Sequence, residues 1–213
     1  MDKMRKIQTK IIAVVVLATL CVSVIAGIVS TAVTRYSTTS ALEKNVLETA
    51  ELAALAAENM ISTYTLTVAE MASNPTLVNE SVSLEEKQAF IQERADAYYM
   101  RVGGMADLDG HDAFHDVDIS GEPFFQAAVQ GNSYMSTPYI DGSDIYIMVA
   151  APIREGEAVK GVLYFQCDTY ILQSIIEGLQ IGEEGEAYIL DKEGTTNAYM
   201  DQETVMNREN VMR

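Results

Sequence analysis

Residues 11–34 form a run of 24 positions without a charge, and beyond it the apolar residues begin to alternate with polar ones at helical spacing. At about 1.5 Å per residue the uncharged run reaches about 36 Å as a helix, more than the ~30 Å hydrocarbon core of a bilayer. The pattern predicts a membrane span. Lys3, Arg5, Lys6 and Lys10 precede it against the single acid Asp2, and the next basic residue is Arg35. The positive-inside rule then puts the amino terminus in the cytoplasm and residues after about 35 outside. A cleaved signal peptide has a shorter apolar core, and Ala18-Thr19-Leu20-Cys21 lacks the pattern of a lipoprotein site, so the span reads as an uncleaved anchor.

From Ile28 to Asn74 there is no Gly or Pro, and Leu42, Val46, Thr49, Ala53, Ala56, Met60, Tyr64, Val68 and Met71 recur at steps of three or four. This predicts one long amphipathic helix over 35–74, about 58 Å of stalk, ended by Ser73-Asn74-Pro75 because the residue before proline is pushed out of the helical region. The Ala-rich stripe suits pairing with a second copy of the chain. Ser83 and Glu86 form a capping box for a helix over 84–97.

Beyond residue 97 the period becomes strand-like. Strands are expected over 98–106 and 111–115, joined by the turn Asp107-Leu108-Asp109-Gly110. A short helix over 122–130 follows, capped by Ser120. Three further strands cover 134–140, 145–153 and 158–168. Five antiparallel strands with one helix inserted between the second and third make an α+β, PAS-like order. A helix over 169–179 follows. Ala187-Tyr188-Ile189-Leu190 and Asp191-Lys192-Glu193-Gly194 then repeat the opening of the unit 84 residues on, so a second lobe begins. The chain stops at Arg213 inside that lobe, which reads as a fragment or a truncated frame.

Charge narrows the classes of partner. Residues 1–35 hold five of the 14 basic side chains and one of the 31 acidic ones, leaving nine against 30 beyond them. A region carrying about −21 argues against nucleic acid or anionic lipid as partner, since phosphate binding needs clustered Lys and Arg. Cys21 lies in the span and Cys167 far outside it, so the two cannot pair. Seven of the twelve residues from Asp107 to Asp118 are Asp or His, but the EF-hand positions for glycine and glutamate hold Asp112 and Asp118. His111 and His115 would lie about 13 Å apart along a strand. A solvated acidic hairpin is the expectation there, with no metal site. No serine-hydrolase, P-loop, zinc-protease or Cys–His arrangement is present, so neither an enzyme nor a cofactor is expected.

The anchor and long helix are followed by Asp109-Gly110, then Ser120-Gly121-Glu122-Pro123-Phe124-Phe125-Gln126-Ala127-Ala128, Gly131 and Ser136-Thr137-Pro138. Val149-Ala150-Ala151-Pro152-Ile153 and Gly161-Val162-Leu163 complete an order that resembles the double Cache (dCache) sensor of bacterial chemoreceptors. The resemblance implies two PAS-like lobes on one long helix, a membrane-distal lobe that binds a small molecule, and an output domain inside the cell. The expected boundaries are a cytoplasmic tail 1–10, a span 11–34, a stalk 35–74, a distal ligand-binding lobe 75–180 and the start of a proximal lobe 181–213. A methyl-accepting chemotaxis protein is the reading; the same sensor on a histidine kinase or diguanylate cyclase, or a purely structural stalk, are the alternatives.

In amino-acid-sensing members of that family the helix motif resembles S-x-R-x-W-Y-x-x-A, with arginine clamping the ligand carboxylate and a later aspartate taking its ammonium group. Here Glu122 stands at the arginine position, Phe124 and Phe125 at the aromatics, and Tyr139 and Asp168 near the later tyrosine and aspartate. Glutamate offers only acceptors, so these five residues suit an amine or another cation. Four of them also have a plainer role: a first-turn helix acid for Glu122, core packing for Phe124 and Phe125, and helix capping for Asp168.

Overall fold

The computed structural model describes residues 2–142, 144–179, 186–199 and 201–210. The chain divides into two compact units, Met1–Glu51 and Leu52–Arg213. The first contains only helix α1 (Asp2–Ala72), which continues into the second. Among the described residues α1 is the one helix long and apolar enough to cross a membrane, and its most apolar window is wholly unburied by the protein itself. Thr31 and Thr49 bond back to the carbonyls of Gly27 and Asn45 at 2.8 Å each, so their hydroxyls are satisfied without leaving the helix.

In the second unit the end of α1 turns Val68, Met71 and Ala72 into the core. Asn74 is extended, ahead of proline, and its side chain accepts the Thr76 N–H, which starts the one-turn helix α2 (Pro75–Val78). Helix α3 (Leu84–Ala97) begins where the capping box places it. Glu86 N–H donates to Ser83 Oγ at 3.3 Å and Ser83 N–H to Glu86 Oε2 at 3.2 Å.

The sheet is antiparallel throughout. Its strands are β1 (Met100–Ala106), β2 (His111–Asp112), β3 (Val117–Asp118), β4 (Tyr134–Met135), β5 (Tyr139–Asp141), β6 (Asp144–Glu155) and β7 (Ala158–Asp168). The order is β3-β2-β1-β7-β6-β4, with β5 also on β6. Three expectations need correction. The strand over 134–140 is split, because Ser136 takes both ladder bonds of Met148 (2.8 Å from its N–H to Met148 O, 2.9 Å from Met148 N–H to its Oγ), and Pro138 has no N–H to continue the ladder. Ser120 does not cap helix α4 (Pro123–Val129). Its N–H is taken by Asp118, and Glu122 is the extended residue before the helix. Finally, the strand over 111–115 stops at Asp112, whose carboxylate turns inward.

Strand alternation sorts the core into two layers. Ile147, Val149, Ala151, Leu163, Phe165 and Cys167 face the ends of α1, α2 and α3, together with helix α5 (Tyr170–Glu177). Met148, Ala150, Val162 and Tyr164 face α4 through Phe124, Phe125 and Ala128. Each buried phenylalanine stabilises that contact by about 1.5–3 kcal/mol. Gly104 in β1 is there because a Cβ would collide with Tyr164 and Asp112.

Past residue 185, β8 (Ile189–Leu190) pairs with β9 (Thr196–Ala198), and helix α6 (Gln202–Met206) follows. The joining turn repeats the β1–β2 turn bond for bond. Asp107 Oδ1 accepts the N–H groups of Asp109 and His111, both at 3.0 Å, and Asp191 Oδ1 accepts those of Glu193 at 3.0 Å and Thr195 at 2.8 Å. Gly110 and Gly194 close the two turns at φ +93° and +83°, a region open to glycine.

Candidate functional site

Even-numbered residues of β6 and β7 point to the α4 side of the sheet, and at one end of that face the side chains become polar. Tyr146 and Asp168 are cross-strand partners, and Tyr139 is opposite Tyr146 on the other flank. The Tyr139 and Tyr146 rings stack with centroids 5.7 Å apart. From α4, Glu122 completes the group. Tyr139 donates its hydroxyl to Glu122 Oε2 at 2.9 Å, while the glutamate makes no side-chain cap bond to the helix it precedes.

Phe124 and Phe125 are buried beneath, at 3% and 4% exposure, and Phe124 packs on the Tyr164 ring with centroids 5.4 Å apart. They back the polar group with apolar surface. Asp168 ends β7 with its side chain about half exposed. Its Oδ1 accepts the Tyr170 N–H at 3.0 Å, so it helps start α5. Its Oδ2 meets Arg101 Nη2 at 3.2 Å. Thus Glu122 and Tyr139 bond directly, Tyr139 and Tyr146 stack, and Tyr146 pairs with Asp168, while the phenylalanines lie in the core behind.

Three residues the sequence reading missed belong to this group. Tyr146 is one. The others are Arg101 and Asp144, where Arg101 Nη1 lies 2.6 and 2.7 Å from the two carboxylate oxygens of Asp144. Arg101 sits at a register break in β1, between Met100 paired with Cys167 and Val102 paired with Gln166. A bulge re-aims the extra side chain, and this is what carries Arg101 to the acidic end. The available signal was that Arg101 is one of only nine basic residues beyond residue 35 and stands in an otherwise apolar strand.

The electrostatics follow from that arrangement. Burial, then the hydrogen bond and the charge of Glu122, push the Tyr139 hydroxyl well above the usual tyrosine range, so it stays a donor. Burial and then the nearby charges of Asp141, Glu122 and Asp144 raise Tyr146 in the same sense. Two stacked phenols, the carboxylates near them and one arginine thus gather at this end of the sheet. Among the described residues no cluster of His, Cys, Asp and Glu has metal-binding geometry. A cleft of about 710 Å³ at the other end of the sheet, lined by Leu77, Met105, His111, Ile153 and Lys160 among others, contains none of these residues. Its lining holds no Phe, Tyr or Trp, but it gathers Glu80, Asp107, Glu155 and Lys160 beside His111.

No family model matches this chain, and no curated protein matches it in sequence. Solved structures do match. The sensory domain of the Campylobacter jejuni chemoreceptor Tlp3 with isoleucine bound is similar with a TM-score of 0.64 at 16% identity, over 80% of this chain and 74% of that one. The ligand-binding domain of the Pseudomonas aeruginosa PAO1 amino acid chemoreceptor PctB in complex with L-Arg gives 0.64 at 22%, over 78% and 69%. That of Pseudomonas fluorescens CtaA in complex with L-leucine gives 0.62 at 17%, over 78% and 74%. The fold is therefore that of a Cache-like chemoreceptor sensory domain, as the motif order in the sequence led one to expect.

Proposed function

We propose that this chain is the extracellular ligand-sensing region of a membrane-anchored chemoreceptor and that it takes a small solute bearing an ammonium group on the α4 face of its sheet. The observation that carries this reading is the Glu122–Tyr139 hydrogen bond beside the Tyr139–Tyr146 stack. It holds a carboxylate beside two tyrosine rings, at the position where the family resemblance implies a carboxylate clamp. Carboxylates bond ammonium groups with charge assistance, and aromatic faces add about 0.5–2 kcal/mol. The structural neighbours bound to isoleucine, L-Arg and L-leucine carry ligands with such a group.

In this reading residues 1–10 are cytoplasmic, 11–34 span the membrane, 35–74 form the stalk, 75–180 the membrane-distal lobe, and 181–213 open the proximal lobe. Two copies pair through the long helix. Ligand closure of the distal lobe shifts the long helix by about 1–2 Å, and the span passes that shift inward. This last step is analogy from fold.

The test is a thermal-shift screen of the whole chain in detergent micelles against amines, amino acids and organic acids. A ligand at a hundred times its Kd stabilises the folded state by about 2.7 kcal/mol and raises the midpoint accordingly. Hits among amines and amino acids support the reading. Hits confined to organic acids would keep a sensor and refute the cationic site, and no hit at all would favour a structural stalk.

A further inference from the structure

Asp168 Oδ1 is engaged by the Tyr170 N–H, so Oδ2 is the oxygen open to a ligand cation, and that oxygen already faces a cation of the protein's own. Arg101 reaches it from the β1 bulge at 3.2 Å, while its other terminal nitrogen is held at 2.6 and 2.7 Å by Asp144, at the start of β6. The guanidinium thus rests chiefly on Asp144 and only touches Asp168. All three side chains are partly open to water, at 38% exposure for Arg101, 51% for Asp144 and 49% for Asp168.

We infer that Arg101 is a built-in competitor for the ammonium subsite of Asp168, and that Asp144 determines how strongly it competes. This rests on the cationic-solute reading above. An arriving ammonium group replaces the single, longest guanidinium contact, the one at Oδ2, while the two shorter ones to Asp144 stay intact, so the site opens without stranding an unpaired arginine. Arg101 thereby sets an affinity threshold. A solute with one weakly held ammonium group competes poorly against a tethered guanidinium, whereas one that also reaches Glu122 has a second anchor and prevails. The site then discriminates by the number of cationic contacts a solute makes, and Arg101 and Asp144 are its specificity-determining pair.

The experiment is calorimetric titration of the full chain in detergent micelles with two probes, ethanolamine and 1,4-diaminobutane, on wild type, Arg101→Met, Asp144→Asn and the double variant. Arg101→Met should bind ethanolamine about fivefold more tightly, the factor an exposed ion pair carries at most. Asp144→Asn should bind it less tightly, because the released guanidinium settles on Asp168. In the Arg101→Met background the Asp144 change should lose most of its effect, since it acts through Arg101. The advantage of diaminobutane over ethanolamine should narrow when Arg101 is gone. Amine binding that is equal in wild type and Arg101→Met, or Asp144 effects of equal size in both backgrounds, would overturn the competitor while leaving the amine site standing. Absence of binding in all four proteins would instead remove the amine site and the competitor with it. Retention of the wild-type thermal midpoint in each variant shows that the comparison is between folded proteins.

Discussion

Asp112 and Tyr164, 52 residues apart in the chain, share a hydrogen bond that fastens the acidic β2–β3 hairpin to the central strand β7. Asp112 is fully buried, and its carboxylate also accepts the backbone N–H groups of Phe114 at 2.6 Å and His115 at 3.1 Å, and meets His115 Nδ1 at 3.0 Å. The carboxylate is therefore the post around which the hairpin turns. Replacing Tyr164 by Phe removes one donor and should cost about 1–2 kcal/mol. Asp112→Ala leaves a buried hydroxyl and two amides without their acceptor and should cost about 3 kcal/mol or more. Urea unfolding of the two variants measures the difference, and equal stabilities would show that the hairpin is held by something else.

The same carboxylate gives the domain a pH dependence of definite sign. Burial works to raise its pKa, but the hydrogen bonds from Tyr164, His115 and the Phe114 and His115 amides outweigh burial and hold it below the ordinary carboxylate range. A lowered native pKa contributes stability above the unfolded value of about 4, and that contribution is lost as pH falls through the native value. Thermal midpoints of wild type should therefore drop steeply below about pH 4, and those of Asp112→Asn should drop less steeply from a lower starting point. Parallel curves would contradict this assignment.

Ligand preference should follow charge at two positions. Asp168→Ala should remove amine binding, and Glu122→Arg should move preference toward carboxylate-bearing solutes, because a guanidinium offers a planar donor fork where the glutamate offered acceptors. A titration of each variant with ethanolamine and with acetate separates the outcomes. Unchanged affinities in both would mean that Glu122 and Asp168 serve the fold alone.

Cys167 provides an internal reporter. It is fully buried, and burial together with the Asp168 charge pushes its thiol up to about 12. Native protein at pH 8 should leave this thiol unmodified by iodoacetamide, and denaturant should release it to the reagent. Mass spectrometry of the alkylated peptides checks it, and rapid native labelling at Cys167 would show that β7 opens readily.

What could be read from the sequence was whatever is encoded locally. The capping box at Ser83 and Glu86, the stop at Asn74-Pro75, and the long strands over Asp144–Glu155 and Ala158–Asp168 each depend on residues a few positions apart. What escaped depends on distant partners. Seven acidic or histidine residues in twelve suggest a solvated hairpin, and only the fold brings Tyr164 over Asp112 to bury it. Likewise the bulge at Arg101 is a relation between β1 and β7 that neither strand declares alone, and Arg101 meets Asp168 across 67 residues. The cap at Ser120 was misplaced because the helix starts only at Pro123, so the extended residue at its mouth is Glu122 and Ser120 lies two positions before it. Motif order singled out Glu122 and Tyr139 as candidates, while their mutual hydrogen bond and the ion pairs of Arg101 had to await the sheet.

The turns at Asp107 and Asp191 carry their hydrogen-bond instructions within five consecutive residues each. Contacts so close in sequence close little loop entropy and form in about 1–10 μs, whereas the pairing of β1 with β7 must wait for some sixty intervening residues to be gathered. The two aspartates are thus suited to be starting points in time as well as landmarks in space. Each sets the register of a hairpin early, so that the slower, long-range joining of strands begins from a correctly aligned edge.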